Sequence, residues 1–497
     1  MKKIRTLAYA AIALFLANVP TACGNDESTG SNTGGTIDES KYVWSKDGGL
    51  NACDHILFAG NTLGNGDDEF VFNGKQILPK GTYTLKGWIY IANGAELTLQ
   101  PGTVIKGDKT SKASLIVERG GKLHAQGTKS EPIVFTSAQP KGNRKPGDWG
   151  GIILCGKAPN NQKEMQIEGG PRTRHGGSDP ADNSGTLSYV RIEFAGYPFQ
   201  ANQEINGLTM GSVGSGTKID HIQVSYSNDD SYEWFGGTVN CKHLIAYKGW
   251  DDDFDTDNGF CGKVQFCLSI RDSRIADTSN SNGFESDNWK DGTNLSPMTR
   301  PVFSNVTFIG PKAMDESFVN EAGPGKYING GNYNPNNGSA LGRYQAAIQI
   351  RRYSNLSCFN SIAVGYPVGL IIENDKGDAQ GSAAKGELKL RNIWFADMAL
   401  VGSDKNSSFT TGEKAFSKTY FETQPGNKVV TAAELGMKAG NYLKAPCIPG
   451  KEAQTAASFA DAMLSEGFEQ VAYIGAFGSN DNWLEGWTNF DPNNTNY

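Results

Sequence analysis

After its first twenty positions this 497-residue chain has no apolar run long enough to cross a bilayer, and sustained helical periodicity is rare. CxxC pairs are missing as well. The five histidines form no Cys/His cluster at ligand spacing, which argues against a structural zinc site. Positive charge is in deficit, with 46 Lys and Arg against 53 Asp and Glu and a net of −7. That balance argues against nucleic acid and anionic lipid headgroups as partners. What abounds is glycine, 62 residues with 20 prolines, a supply suited to many tight turns.

One short pattern recurs. Asp230-Ser231-Tyr232-Glu233, Asp252-Asp253-Phe254-Asp255 and Asn282-Gly283-Phe284-Glu285 lie 22 and then 30 residues apart. Spacing near 22 with an in-register aromatic predicts the stacked rungs of a solenoid. Tyr232, Phe254 and Phe284 then point inward, and Glu233, Asp255 and Glu285 align on the outer face, because side chains alternate along a strand. Short apolar runs starting at Ile222, Leu244 and Phe266 keep the 22-residue period. Weaker members occur at Val190, Val306, Ile362 and Ile393, with loops inserted at the corners between them. Upstream, residues 85 to 137 read as alternating strands cut by Gly and Pro turns. The expected fold is an all-β, right-handed parallel β-helix over residues 43–400, with a small helical or irregular extension, 401–497, packing on or capping the solenoid. Within that extension, Gly450 to Glu469 carries Ala453, Ala456, Phe459, Ala460, Met463 and Leu464 at helical spacing.

The N-terminus reads as a signal peptide over residues 1–22. Lys2, Lys3 and Arg5 precede an apolar core, Leu7 to Val19, that is too short to span. Pro20-Thr21-Ala22-Cys23 is similar to a bacterial lipobox, with Pro where Leu is usual. This resemblance implies cleavage before Cys23 and acylation of its thiol, palmitate being one expected chain. An ordinary secretory signal is the plainer alternative, but a Gly/Ser/Thr-rich tether, residues 23–42, follows at once. Asp26-Glu27 resembles the acidic export signal of Bacteroidetes surface lipoproteins. Removing the leader leaves 43 basic against 53 acidic residues, a net of −10. Seven cysteines then follow Cys23, so at least one is unpaired within the chain, and Cys241, Cys261 and Cys267 read as small buried thiols.

The acidic column needs an explanation. Carboxylates one rung apart, about 4.8 Å, repel by roughly 1 kcal/mol in water and 3–4 kcal/mol at an effective dielectric near 20. Continuing the register adds Phe235, Asp257 and Asp287, then places Arg351 between Asp287 and Glu373. A solvated acidic face with one salt-bridge rung is one account. A Ca²⁺ site built from Asp253, Asp255, Asp257, Glu285 and Asp287 is the other, since clustered hard oxygens suit that ion. Asp253 to Gly259 resembles an EF-hand loop only superficially: its Gly comes one residue late and Val264 stands where Glu is required. Asp253, Asp255 and Asp257 are instead expected on one strand, all outward.

Several motifs together resemble a large family of secreted or lipid-anchored bacterial β-helix proteins common in Bacteroidetes. They are Trp149 to Leu154, Ile205 to Thr209, Ser231 to Gly237, Gly249 to Asp257, and the closing Tyr473 to Gly478 with Trp487 to Phe490. The resemblance runs from about Val43 to the end and implies the fold and an outer-membrane, surface-exposed location. It carries no catalytic residues over. Two functions follow as expectations. The first is a non-catalytic accessory capturing a glycan or peptide nutrient, beside a TonB-dependent transporter and its lipoprotein partner. Glu233, Trp250, Trp289 and Glu373 are its candidate ligand-binding residues, while Tyr232 and Trp234 are assigned to packing. The second is a Ca²⁺-dependent polysaccharide lyase or related glycan enzyme. Lyases of this fold resemble the layout in pairing acidic ligands with a basic residue. Arg351 is then the base candidate and Lys248 a poorer one, and an Arg base needs a strongly lowered pKa. A retaining glycosidase stays open too, because carboxylates in adjacent coils stand about 5 Å apart.

Overall fold

A computed structural model describes residues 52–53, 55–167, 172–200, 203–322, 341–405, 409, 414–437 and 447–497. Cys23, the leader and the tether lie outside the described residues.

Glycines and prolines break the chain into strands of two to nine residues, and from Leu208–Gly211 onward consecutive strands alternate between two sheets. Twelve described strands form one sheet, running from Ala52–Cys53 through Tyr232–Phe235 to Leu400–Ser403. A second sheet of sixteen includes Gly185–Glu193, Lys218–Ser225, Asn240–Tyr247 and Lys263–Ile270. Apart from a few short antiparallel pairs such as Leu57–Ala59 with Thr62–Leu63, strands pair in parallel with the strand one coil away, for example Tyr232–Phe235 with Phe254–Asp257. Parallel crossovers of this kind are right-handed almost without exception. The result is a right-handed parallel β-helix.

The register follows the repeat. Tyr232 pairs with Phe254 and Phe254 with Phe284, while Glu233 pairs with Asp255 and Asp255 with Glu285. All three aromatics are fully buried. One expected pairing is off by a residue: Leu244 pairs with Cys267, not Phe266, because that coil is 23 residues long. Phe266 is instead the counterpart of His243, a bend inside the strand.

That bend recurs. Tyr189, His221, His243, Phe266, Asn305, Asn360 and Asn392 all have φ between 49° and 62°, and each divides a long second-sheet strand into two legs. A positive φ is strained for bulky residues, and stacking between coils offsets the strain. The ring centroids of Tyr189 and His221 are 4.3 Å apart, those of His221 and His243 4.1 Å, and those of His243 and Phe266 5.1 Å. Further along, Asn392 Nδ2 donates to Asn360 Oδ1 at 2.8 Å.

The boundary expected at residue 400 needs correction. Leu400–Ser403 pairs with Val368–Ile372 and Lys428–Val430 with Leu390–Ala396, so the coils continue to Val430. A helix, Phe416–Thr423, sits between these two strands and stacks Phe421 on Phe395 at 4.1 Å. Those final strands are short and lack alternation, which hid them.

The expected helix from Gly450 to Glu469 is also corrected. Only two 3₁₀ turns form, Ala453–Thr455 and Ala462–Leu464, and of the six periodic residues only Ala453 and Leu464 are buried. Tertiary bonds claim the backbone instead. Ser458 N and O pair with the Asn360 amide at 2.9 and 3.1 Å, Glu469 N and O with Gln265 at 2.7 Å each, and Asn489 N and O with Gln223 at 2.9 and 2.7 Å. The tail is thus a strap lying against successive coils in reverse order, ending where Lys106 Nζ meets Tyr497 O at 2.8 Å. Trp483 and Trp487 on it cover the His221–His243 stack.

Cys155, Cys241, Cys267, Cys358 and Cys447 are buried and Cys261 is half-buried; Cys155, Cys241, Cys261, Cys267 and Cys358 are free thiols. No helix among the described residues is long and apolar enough to cross a membrane.

Candidate functional site

The first sheet carries the acidic face. Just before its strands, Asp230, Asp252 and Asn282 occupy equivalent places and tie each coil to the next. Asp230 Oδ1 accepts from Asp252 N at 2.8 Å, Asp252 Oδ1 from Asn282 N, and Asn282 Oδ1 from Ala346 N at 3.0 Å. A carboxylate or amide two residues ahead of the inward aromatic therefore satisfies a backbone donor that a strand would otherwise satisfy. The sequence shows this recurrence, but nothing in it reveals the bond.

Beside this ladder, ligand oxygens of Asp230, Glu233 and Asp255 all lie within 4.8 Å of one another. Asp229, Asp230 and Asp251 form a second group sharing Asp230. Burial pushes the Asp230 carboxyl well above its ordinary range, and Asp229, Asp252, Asp255 and Glu233 push it further. Asp255 is raised by burial and by Asp257, Asp252 and Asp287, against the pull of Arg351. Burial brings Asp252 up to about 6 despite bonds from Asn282 and the charges of Arg271 and Arg351. Asp255 Oδ1 and Asn206 Oδ1 are buried and take no hydrogen bond, while Asn206 Nδ2 donates to Glu233 Oε2. Crowded hard oxygens with unused lone pairs match what Ca²⁺ requires. Asp230, Glu233 and Asp255 would hold such an ion.

The expected calcium set divides differently. Asp253 is fully buried and faces the interior, where Arg271 Nη1 meets its Oδ1 at 2.7 Å and Ser269 and Tyr366 donate to Oδ2. Its strand starts at Phe254, so strand alternation does not reach residue 253. Glu285 and Asp287 are neutralised by arginine. Arg351 Nε donates to Asp287 Oδ1 at 2.8 Å, another Arg351 nitrogen binds Glu285, and Arg352 Nη1 meets Asp287 Oδ2 at 2.5 Å. Asp257 lies one coil from Asp287 and raises its pKa, second only to burial. Asp255 alone of the five joins the carboxylate cluster, and sequence reasoning did not assign Asp230 to it.

Arg351 sits where the register puts it. Burial and then Arg352 lower its proton affinity, while Asp255, Asp252 and Glu373 raise it. Glu373 is buried with Oε2 lacking a hydrogen bond, and burial raises its pKa above the countering effect of Arg351. Trp250 is 1 % exposed and so offers no face to a ligand, which corrects its assignment. Its carbonyl accepts from Ser281 Oγ at 2.9 Å and from Arg271 at 3.3 Å. Trp289 is half-buried, with Lys290 Nζ 5.5 Å from its ring centre. Lys248 is not on this face; it pairs with Asp272 at 3.5 Å on the outer corner.

No curated protein and no solved structure matches the chain. A family match does cover three quarters of it, and it agrees with the parallel coils and continuous register described above. Over residues 72–445 the chain belongs to the family described as the pectate-lyase like beta helix domain.

Proposed function

We propose that this protein acts on an acidic polysaccharide by cation-assisted β-elimination on the first-sheet face. The observation that carries the reading is the meeting of Asp230, Glu233 and Asp255, three carboxylates from two adjacent coils. A bound Ca²⁺ would hold a uronate carboxylate and stabilise negative charge developing beside it. Arg351, in the column next to the cluster, is the candidate base. Burial and Arg352 lower its proton affinity, as a guanidine that takes a proton requires. Arg352 would then orient the substrate carboxylate, since guanidinium forks match that geometry.

A second reading, capture without cleavage, is favoured by one specific observation: Arg351 is already bound to both Glu285 and Asp287. Absorbance of unsaturated uronate products across a polyuronide panel separates the two. The lyase reading expects a rise that a chelator abolishes and that Arg351→Ala reduces at least a hundredfold. A flat trace together with calcium-dependent retention on immobilised polyuronide would move the assignment to capture.

We also propose that Cys23, outside the described residues, anchors the chain by acylation at the outer surface of the outer membrane. The leader-like N-terminus and polar tether support this. Labelled palmitate should enter the wild type and not Cys23→Ser. Co-purification of a TonB-dependent transporter with the anchored form would add the nutrient-uptake partner, and its absence would remove it.

A further inference from the structure

On the outer corner after the second sheet lies a cleft of about 510 Å³, away from the acidic face. Its back wall comes from one structural position repeated in three coils. Phe194, Tyr226 and Lys248 each follow a second-sheet strand, with φ of 63°, 57° and 55°. Such angles are uncommon for these residue types, and here they turn two aromatics and a cation onto one column. The Phe194 and Tyr226 rings stack with centroids 5.3 Å apart, and the Lys248 ammonium lies 5.9 Å from the Tyr226 centroid. The strap closes the opposite side with Asn493 and Asn494. Arg144 secures that closure by donating to Pro492 O at 2.6 Å and Thr495 O at 3.0 Å.

Charge in the cleft is lopsided. Lys145, Lys248, Arg274 and Arg144 line it or its closure, against Asp491 on the lining and Asp272 beside it, which Lys248 and Arg274 share at 3.5 and 2.8 Å. The whole chain is acidic, so a concave site with a cationic excess runs against the prevailing charge. Cations, side-chain amides and an apolar floor formed by Tyr226, with the buried Phe194 ring stacked behind it, together suit a ring that has hydroxyls, an apolar C–H face and a carboxylate. We propose that this cleft binds a hexuronate unit of an acidic glycan, its carboxylate held by Lys145 and Arg274. The choice of sugar acid rests on the function proposed above; the anionic preference rests on the cleft alone.

Titration calorimetry on the full chain with a hexuronate disaccharide, its neutral hexose counterpart and inorganic sulfate tests the assignment. The disaccharide acid should bind at least tenfold more tightly than either comparison ligand. All titrations carry a chelator, so that no cation bridges the sugar acid to the acidic face. Under these conditions a Lys145→Ala/Arg274→Ala double variant should lose at least tenfold, whereas Asp255→Asn should bind as the wild type does. Equal binding of the neutral sugar, equal binding of sulfate, or an unchanged double variant that is folded by circular dichroism would each overturn it. Because Asp255→Asn removes only the cation cluster, loss of calcium-dependent activity with retained binding separates failure of the acidic face from failure of this cleft.

Discussion

Asp253 shows how far one residue can depart from its neighbours. Two positions before the outward Asp255, it lies fully buried against Arg271, itself fully buried. Burying two charges is costly, and good geometry with extra hydrogen bonds is what makes it tolerable. Arg271 supplies these by donating to the Trp250 carbonyl and stacking 5.0 Å from the Tyr344 ring centre. Asp253→Ala should therefore cost about 3–5 kcal/mol in urea unfolding by stranding the guanidinium. Replacing both partners, Asp253→Leu with Arg271→Met, should cost less than the single change. At the cluster, millimolar Ca²⁺ should raise the melting temperature relative to chelator, by about 2.7 kcal/mol of stabilisation at a hundredfold excess over Kd. Asp255→Asn and Glu233→Gln should each remove most of that rise. An equal rise in both variants would show that the ion binds elsewhere.

Among the elements, the strap is the one whose conformation its own sequence does not set. Its helical spacing is real, yet isolated helices of that length are marginal in water, and the amides of Asn360, Gln265 and Gln223 bond its backbone in an extended path. Gln265→Leu removes two such bonds to Glu469 and should cost about 1–3 kcal/mol, read as faster amide exchange over residues 465–475. The strap is also acid-sensitive. Burial acts to raise Asp461, but the Met463 amide, Lys389 and Arg391 outweigh it and hold the carboxyl below its usual value. A carboxyl depressed on folding contributes stability that is present above its unfolded pKa near 3.9 and is lost as pH falls through the folded value. Proteolysis of the strap should accelerate below about pH 4, and Asp461→Asn should flatten that dependence.

Over the whole molecule, each coil rests on the coils before and after it, and the strap joins distant coils. Lys106 contacts Tyr497, and Tyr497 Oη donates to Glu193 Oε1 at 2.6 Å. Trp487, Phe477 and Ile474 are fully buried between strap and second sheet. Burial of each contributes on the order of 2–3 kcal/mol. Deleting residues 448–497 should accordingly expose the Tyr189–His221–His243–Phe266 column, lower the urea midpoint and promote association through the uncovered apolar surface. Size-exclusion chromatography would detect that association; a truncated chain that stays monomeric and as stable as the full one would refute the tethering role.

The sequence by itself determined the coil and the register. Alternation and a near-constant period are local properties, so Tyr232, Phe254 and Phe284 could be aligned without coordinates, and Glu233, Asp255 and Glu285 with them. The column also set Arg351 between Asp287 and Glu373, and Arg351 does bond Asp287 and act on Glu373; its bond to Glu285 was not foreseen. Which carboxylates share a space was decided only by the tertiary structure. Loops before each strand bring Asp230 to Asp255, turn Asp253 inward and bury Trp250, and period carries no information about residues outside the strands. The cleft was equally hidden, since its walls come from the 142–146 loop, three strand ends and the tail, which meet only when the strap lies back along the solenoid.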